Sequence, residues 1–402
     1  MTAHGDDKAG PSLPDPETAA ARQLARDRDI TSWKPELLER KHARMKASAF
    51  AYLRGSNPLF YELLAASPDL ADGPGGEGWL VGDLHLENFG AFRVEPLGEA
   101  PEVVFDLNDF DDAFQGPWRW DVLRLLTSVL LAARDHGLDG SAAVGAARTL
   151  VASYARALES RRLPHPPALV ARLVAKISER KRVQFLDART KVVGDKRRFV
   201  RGDRYLDLPA ATVKQLPRAL ASFIPADGGP RPSDAFFEIV DAAFRVAGTG
   251  SLGCRRYAIL IEAKGSPDGN AIFDLKEEWP PAAEAAGVTI DLAPNIRVVT
   301  AQRTCVARPP FMLGTTTFDG RPMIGRRLMP QEDKLDASAL DADELDSVAG
   351  YFGALTALAH RRGSTQPNPG AWSPRACEDM VRRATLVAGW HEAVYLAFCR
   401  AL

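Results

Sequence analysis

The chain lacks the features that mark several protein classes. Among 402 residues there are four cysteines, Cys254, Cys305, Cys377 and Cys399. None stands in a Cys-x-x-Cys spacing, which argues against a zinc site and a disulfide framework and for reduced thiols in a cytoplasmic protein. No apolar run approaches the roughly 20 residues that span a bilayer. The opening stretch "MTAHGDDKAGPSLPDPETAA" has no apolar core of a secretory signal. Its Gly, Pro and Asp content predicts a disordered leader over 1–20. Neither charge sign dominates, with 51 Lys and Arg against 52 Asp and Glu, so there is no global attraction to nucleic acid or to an anionic membrane. Internal repeats and low-complexity tracts are also missing. What is present, 46% hydrophobic and 26% charged residues, is the make-up of an ordinary globular chain. Its length suits two domains or one large bilobal one.

Apolar residues recur at helical spacing from about Ala19 to Ala66, with a break at "ITSWKP". After the loop "DGPGGEG" come two short strands, "WLV" and "VVF", separated by "GAFRVEPLGEAPE". Helices are predicted from Trp120 to His136 and through "SAAVGAARTLVASYARALES" and "PPALVARLVAKISERKRVQFLDA". The basic stretch "DKRRFVRGDRYLDLP" reads as a hairpin, and "SDAFFEIVDAAFRVAG" as a helix from a Ser233 cap to Gly248. The pattern then changes. "RRYAILIEAKG" and "NAIFDLKEEW" are strands around the turn "GSPDGN", and "FMLGTTTFDGRPMIGRRLM" is a hairpin turning at Asp319-Gly320. Only helices follow. The expected organisation is a helical part over 21–244, a β-rich part over 245–335 and returning helices over 336–402.

Two neighbouring stretches carry the chemistry. "GWLVGDLHLENFG" places Asp83, His85 and Asn88 after an apolar run, and "VVFDLNDFDDAF" places Asp109, Asp111 and Asp112 after another. Asp and Asn together offer hard oxygen ligands suited to Mg²⁺. A carboxylate that holds no metal can accept the proton of a hydroxyl. Phosphoryl transfer needs that combination, because it is catalysed mostly by positioning and charge neutralisation.

"GDLHLEN" resembles the catalytic loop H-G-D-x-H-x-x-N of kinase-like phosphotransferases, above all the aminoglycoside and choline kinase branch. "NDFDDA" resembles that branch's I-D-F-G-D, and "WDVLRL" its later Y-D-L-A. The resemblance implies that Asp83 is the catalytic base, Asn88 a metal ligand and Asp109 the principal metal ligand. Val81 replaces the usual leading His and Asp111 the usual Gly, which leaves Asp111 and Asp112 as extra ligands to consider. His85 orients the loop or Asp83. Asp121 caps the helix beginning beside Trp118 and Trp120, or braces the catalytic loop.

A kinase keeps its glycine-rich loop and its ATP-gripping lysine before the catalytic loop, but the 80 residues before Asp83 read as helix. The missing features appear downstream. "GTGSLG" offers Gly248, Gly250, Ser251 and Gly253, a strand follows, and the next strand carries Lys276. A helix before the glycines and a strand after them argue against a dinucleotide fold. Candidates for the partner of Lys276 are Gln302 and Glu284; Glu277 and Glu278 read as too close in sequence. "DSVAGYFGALTALAHRRG" resembles the helix that leads into a catalytic loop. The expected fold is therefore α+β, a bilobal protein-kinase-like architecture in circular permutation, with a mainly helical catalytic part and a small antiparallel nucleotide-binding part.

In "KHARMKASAFAYLRGS", Lys41, Arg44, Lys46 and Arg54 are within reach of an anionic ligand, Arg54 first among them. "SERKRVQFLDARTKVVGDKRRFVRGDR" is a solvated basic surface or a site for an acidic substrate. Segments spread over 36–390 also resemble the bacterial family called domain of unknown function 2252. The function expected is ATP- and Mg²⁺-dependent phosphotransfer to a hydroxyl of a small-molecule acceptor, with transfer of AMP as a variant. The rivals are a nucleotide-binding regulator without transfer activity and a metal-dependent phosphohydrolase.

Overall fold

The structure is a computed structural model, and it describes residues 13–94, 102–229, 238–337, 340–368 and 370–402. Five helices open the chain: α1 Pro16–Thr31, α2 Glu36–Met45, α3 Ala49–Leu53, α4 Asn57–Ala66 and α5 Pro68–Ala71. Strand β1 Glu77–Leu80 leads to a single 3₁₀ turn, Leu86–Asn88, then to β2 Phe89–Val94, β3 Glu102–Leu107 and β4 Phe114–Pro117. Helices α6 Trp118–Asp135, α7 Gly140–Ser160, α8 Ala168–Ser178 and α9 Arg182–Asp187 follow. Next come β5 Thr190–Val193, β6 Lys196–Phe199, β7 Tyr205–Leu206, α10 Ala210–Ala221, β8 Ile224–Pro225 and β9 Ile239–Arg245. The last β-rich stretch holds β10 Arg256–Ile261, β11 Ala271–Glu277, α11 Pro294–Cys305, β12 Leu313–Phe318, β13 Arg321–Leu328 and β14 Glu332–Lys334. Helices α12 Ala342–Arg362 and α13 Pro374–Ala401 end the chain. Among the described residues no helix is long and apolar enough to cross a membrane.

The fold is α+β with antiparallel sheets. A seven-stranded sheet runs β7-β9-β10-β11-β13-β12-β8, a three-stranded one β14-β2-β3, and β1-β4 and β5-β6 are pairs. The hairpin β12–β13 turns as expected at Asp319 (φ 52°) and Gly320 (φ 68°), whose two left-handed conformations match strand twist. The helical part is organised around α6, which is buried through Val122–Ala133, with α7, α12 and α13 against it.

Several expectations are corrected. Helix α1 begins at Pro16, where Asp15 accepts the Thr18 N–H at 2.8 Å, so the expected leader already contains a helical turn; residues 1–12 lie outside the described residues. The stretch read as a helix from Ser233 forms strand β9 from Ile239 onward, and Ser233 lies outside the described residues. Ile239, Val240, Ala242, Ala243 and Phe244 fit either period over so short a window; pairing with β10 from Tyr257 to Ile261 decides for strand. The large sheet therefore recruits β7, β8 and β9 from before residue 245. "DKRRFVRGDRYLDLP" is not one hairpin, since β6 pairs with β5 and β7 joins β9. Between "WLV" and "VVF" the chain adds strand β2: β1 pairs with β4, and β3 with β2.

The end of α12 meets the start of β1. Trp79 N–H donates to Gly363 O at 2.9 Å, and Thr365 N–H to Glu77 O at 3.0 Å. Elsewhere α12 lies so close to α7 that a Cβ on Gly353 would sit 2.2 Å from Leu150 O. Backbone cannot yield as a side chain does, so Gly353→Val should destabilise the protein by about 3 kcal/mol, the upper end of overpacking effects. A urea midpoint unchanged by this substitution would disprove that approach of the helices.

Candidate active site

The loop after β1 is held from below. Asp121, in the first turn of α6 and 1% exposed, accepts the N–H groups of Val81 at 2.6 Å and Gly82 at 3.0 Å. His360 of α12 lies 3.2 Å from the same carboxylate. The Gly82 carbonyl accepts from Tyr61 Oη (2.5 Å) and Asn57 Nδ2 (3.1 Å). Gly82 has φ +82°, and a Cβ there would meet Asp112 O at 1.9 Å, so only glycine fits. Asp121 thus takes the bracing role in preference to capping; no side-chain cap bond is made at the start of α6.

This support presents Asp83 to the cleft. Its Oδ1 accepts from Nε of the buried Arg124 at 2.7 Å, and Arg124 Nη2 bonds the same oxygen. Burial lifts the Asp83 carboxyl to about 7, with Asp112 and Asp109 adding to the rise and Arg124 opposing it. Past Asp83 the loop is closed by a reciprocal cap. Asn88 Oδ1 accepts the His85 N–H at 2.7 Å, while His85 Nδ1 accepts the Glu87 N–H at 3.2 Å. Burial holds His85 well below its ordinary value, hence neutral. Its geometry is that of a loop-orienting residue.

The β2–β3 ladder brings the second acidic stretch alongside. Phe89 pairs with Leu107, and Asn108 N–H donates to Asn88 O at 2.9 Å, so Asp109 begins beside Asn88. Asp109 is pushed up by burial, but Lys334, Lys276, Arg256 and Arg326 outweigh that and hold it below the usual carboxylate range. Asp111 forms an ion pair with Lys276. Asp112, which also lines the cleft, accepts from Ala282 N–H at 2.6 Å and Asn57 Nδ2 at 3.0 Å, and so ties the loop to α4 and to the 3₁₀ turn at 282.

The opposite wall is the large sheet. The glycine-rich turn joins β9 to β10, so a strand precedes it where a helix was expected. Gly248, Gly250 and Ser251 line a recess of about 810 Å³ together with Asp83, Asn88 and Lys276. Gly253 does not: its carbonyl accepts from Trp33 Nε1 at 2.6 Å, and a Cβ on it would press on Ile30 O at 2.8 Å. An adjoining recess of about 1110 Å³ under the sheet shares Asp109, Asp111, Gly248, Ser251 and Lys276 with the first.

The structure corrects the partner of Lys276. Glu284 is exposed on a 3₁₀ turn, and Gln302 lines the second recess, while Lys276 Nζ is paired with Asp111. Glu278, 3% exposed, lies 3.6 Å from Lys276 Nζ. Two residues apart on an extended chain share a face, and that alternation was the signal that could have found it. Burial raises Glu278 to about 7, against the pull of Lys276 and Arg297.

Arg54 lines the first recess but is spent on Glu87, its Nη1 2.9 Å from Oε1. Lys41, 1% exposed, reaches Gly250 O at 2.9 Å and Thr249 O at 3.3 Å, with Asp27 3.6 Å away. Arg44 bonds Gly248 O. Helix α2 thus grips the carbonyls of the glycine-rich turn, a link that sequence separation hid.

A family model described as "Uncharacterized protein conserved in bacteria (DUF2252)" matches residues 33–401. No curated protein and no solved structure matches the chain.

The grip by Lys41 can be tested on stability. Lys41→Met leaves buried Asp27 without its ammonium partner and should lower unfolding free energy by about 3–5 kcal/mol, and Asp27→Asn in the same chain should recover part of the loss. Equal stability of wild type and Lys41→Met in urea would rule the buried pair out as a clamp.

Proposed function

We propose that this chain, which belongs to the DUF2252 family of uncharacterized bacterial proteins, is an ATP- and Mg²⁺-dependent phosphotransferase of kinase-like, circularly permuted architecture. It moves a phosphorus-containing group to a hydroxyl of a small-molecule acceptor. One observation carries the reading. A turn with Gly248 and Gly250 between antiparallel strands, and Lys276 on the next strand, face Asp83, Asn88 and Asp109 across one cleft. Those are the parts a phosphoryl-transfer site assembles: a phosphate-covering turn, a phosphate-gripping lysine, a base and metal ligands.

The corrected strand before the glycines supports this reading further, because a covering turn needs strands on both sides. The seam between α12 and β1 supports the permutation. The backbone of Gly363 touches that of Trp79, where a kinase chain would run straight from helix into catalytic loop. Helix α11, after β11, stands where a kinase sets the helix that answers its lysine. Here Glu278 takes the place of that answering acid.

Among the described residues no group of three or more His, Cys, Asp or Glu side chains is arranged to hold a metal ion. Mg²⁺ binds through one or two side chains and completes its shell with substrate phosphates and water. Asn88, with one of its two Oδ1 lone pairs committed to His85, and the ionised Asp109 would hold it. When bound, Mg²⁺ supplies charge neutralisation to the phosphates. Asp83 then accepts the acceptor's hydroxyl proton. Oδ1 is held by Arg124, which leaves Oδ2 to take the proton. Lys276 exchanges Asp111 for phosphate oxygens.

Two outcomes follow. Asp83→Asn should lower transfer from labelled ATP to a panel of hydroxylated metabolites by about 10²–10⁴-fold, with the thermal shift given by ATP and Mg²⁺ kept. A regulator without transfer activity would show the shift and no transfer in either protein; no shift in the wild type would sink the nucleotide reading. Because Asp83 works ionised and sits at about 7, kcat should rise about tenfold per unit up to pH 7 and level off above it. A flat profile from pH 5 to 8 would remove Asp83 as the base.

A further inference from the structure

The register of the large sheet sorts its side chains by face. Arg256 pairs with Lys276, and Asp274 pairs with Arg326. Asp274, Lys276 and Glu278 alternate onto one side of their strand. Arg245 Nη1 lies 2.7 Å from Asp274 Oδ2, and Arg256 Nη2 lies 2.7 Å from the same oxygen. All six of these side chains line the recess under the sheet. These strands bring four cations and two acids to the recess. Lys334 adds a fifth cation, and Asp109, Asp111 and Glu332 bring the acids to five, with Arg326 Nη1 2.6 Å from Glu332 Oε1 and Lys276 paired with Asp111. Asp274, 2% exposed, is shared by two arginines and so neutralises one of them. Arg245 Nε is buried with no hydrogen-bond partner among the described residues.

A nucleobase binds between flat apolar surfaces. A glycine-rich turn covering the phosphates would set the base under these strands, against guanidinium and ammonium groups. The apolar lining of this recess is Ile324 of β13 together with residues of other elements, such as Phe92, Val298 and Leu313. Planar guanidinium forks match phosphate oxygens far better than they match a purine. Gly248, Ser251, Asp109 and Lys276 stand where this recess meets the one holding Asp83.

We infer that the arginine-lined recess receives the polyphosphate end of the nucleotide, with the nucleoside pointing to the cleft mouth, so that the group transferred is the nucleotidyl group. This rests on the nucleotide-dependent transfer proposed above and decides which phosphorus reacts. With the β- and γ-phosphates among Arg245, Arg256 and Arg326, the α-phosphorus is left at the junction with the Asp83 recess. The acceptor oxygen bonds to the α-phosphorus and gives its proton to Asp83. The bond from the α-phosphorus to the bridging oxygen breaks, and pyrophosphate leaves with that electron pair.

The test uses the full chain with Mg²⁺. Tripolyphosphate should compete with ATP while adenosine does not, and Arg326→Gln should weaken tripolyphosphate at least tenfold, with Arg326→Lys recovering part of it. With water in place of the acceptor, slow turnover should yield AMP and pyrophosphate. Adenosine competing where tripolyphosphate fails, Arg326→Gln binding tripolyphosphate as the wild type does, or products ADP and phosphate would each overturn the inference and leave the transferase reading standing. Binding of neither ATP nor tripolyphosphate would overturn both. Where turnover is too slow to read, the competition decides alone.

Discussion

The cleft hangs on the carboxylate of Asp121. It gathers segments that are remote in the chain: the backbone of Val81 and Gly82, the α6 helix to which it belongs, and His360 of α12. His360 is held in turn by Tyr154 Oη, 2.8 Å from its Nδ1. Hydrogen bonds to an ionised group contribute about 1.5–3 kcal/mol each, and a buried carboxylate without them would be strongly destabilising. That asymmetry fixes the loop: it cannot move off Asp121 without stranding a charge at 1% exposure. Where no peptide bond joins α12 to β1, this carboxylate and the Gly363–Trp79 backbone bond hold the two together.

From that anchored floor the electrostatics diverge. Asp83 and Asp109 both stand partly exposed in the cleft wall, at 21% and 41%, yet one is lifted to about 7 and the other is held low. The difference lies in what faces them. Asp83 has one cation, Arg124, and two acids nearby, whereas Asp109 looks at Lys334, Lys276, Arg256 and Arg326. Paired titratable groups whose environments push them apart are how one site holds both a proton acceptor and a permanent anion. The proposed assignment of base and ligand therefore has a physical basis separate from motif position.

Local features were legible in the sequence. "GDLHLEN" and "NDFDDA" could be read because each is contiguous and follows a strand, and the Asp319-Gly320 turn because its two residues dictate its conformation. The bracing role of Asp121 was legible as one of two roles. Long-range features were not. Lys41 meets Gly250 from 209 residues away, and nothing local to either marks the meeting. The β9 segment was misread because five apolar residues in a row of seven satisfy both a helical stripe and a buried strand, and only β10 chooses between them. Glu278 was discounted for nearness, although two residues along a strand is the spacing at which side chains meet.

The β9 correction alters the chemistry as well as the topology. With a helix ahead of it, "GTGSLG" would have been a flexible exit with its amides unconstrained. Between two antiparallel strands, its ends are fixed by the ladder, and its carbonyls at 248, 249 and 250 are drawn to Arg44 and Lys41. The bound carbonyls fix the turn against α2, on the side of Lys41 and Arg44. Helix α2, through Lys41 and Arg44, thus holds a turn some 200 residues downstream. The clamp also explains why Lys41 is buried despite the desolvation that lowers its affinity for a proton: its charge is answered by Asp27 and by two peptide dipoles, so it serves the site without facing it.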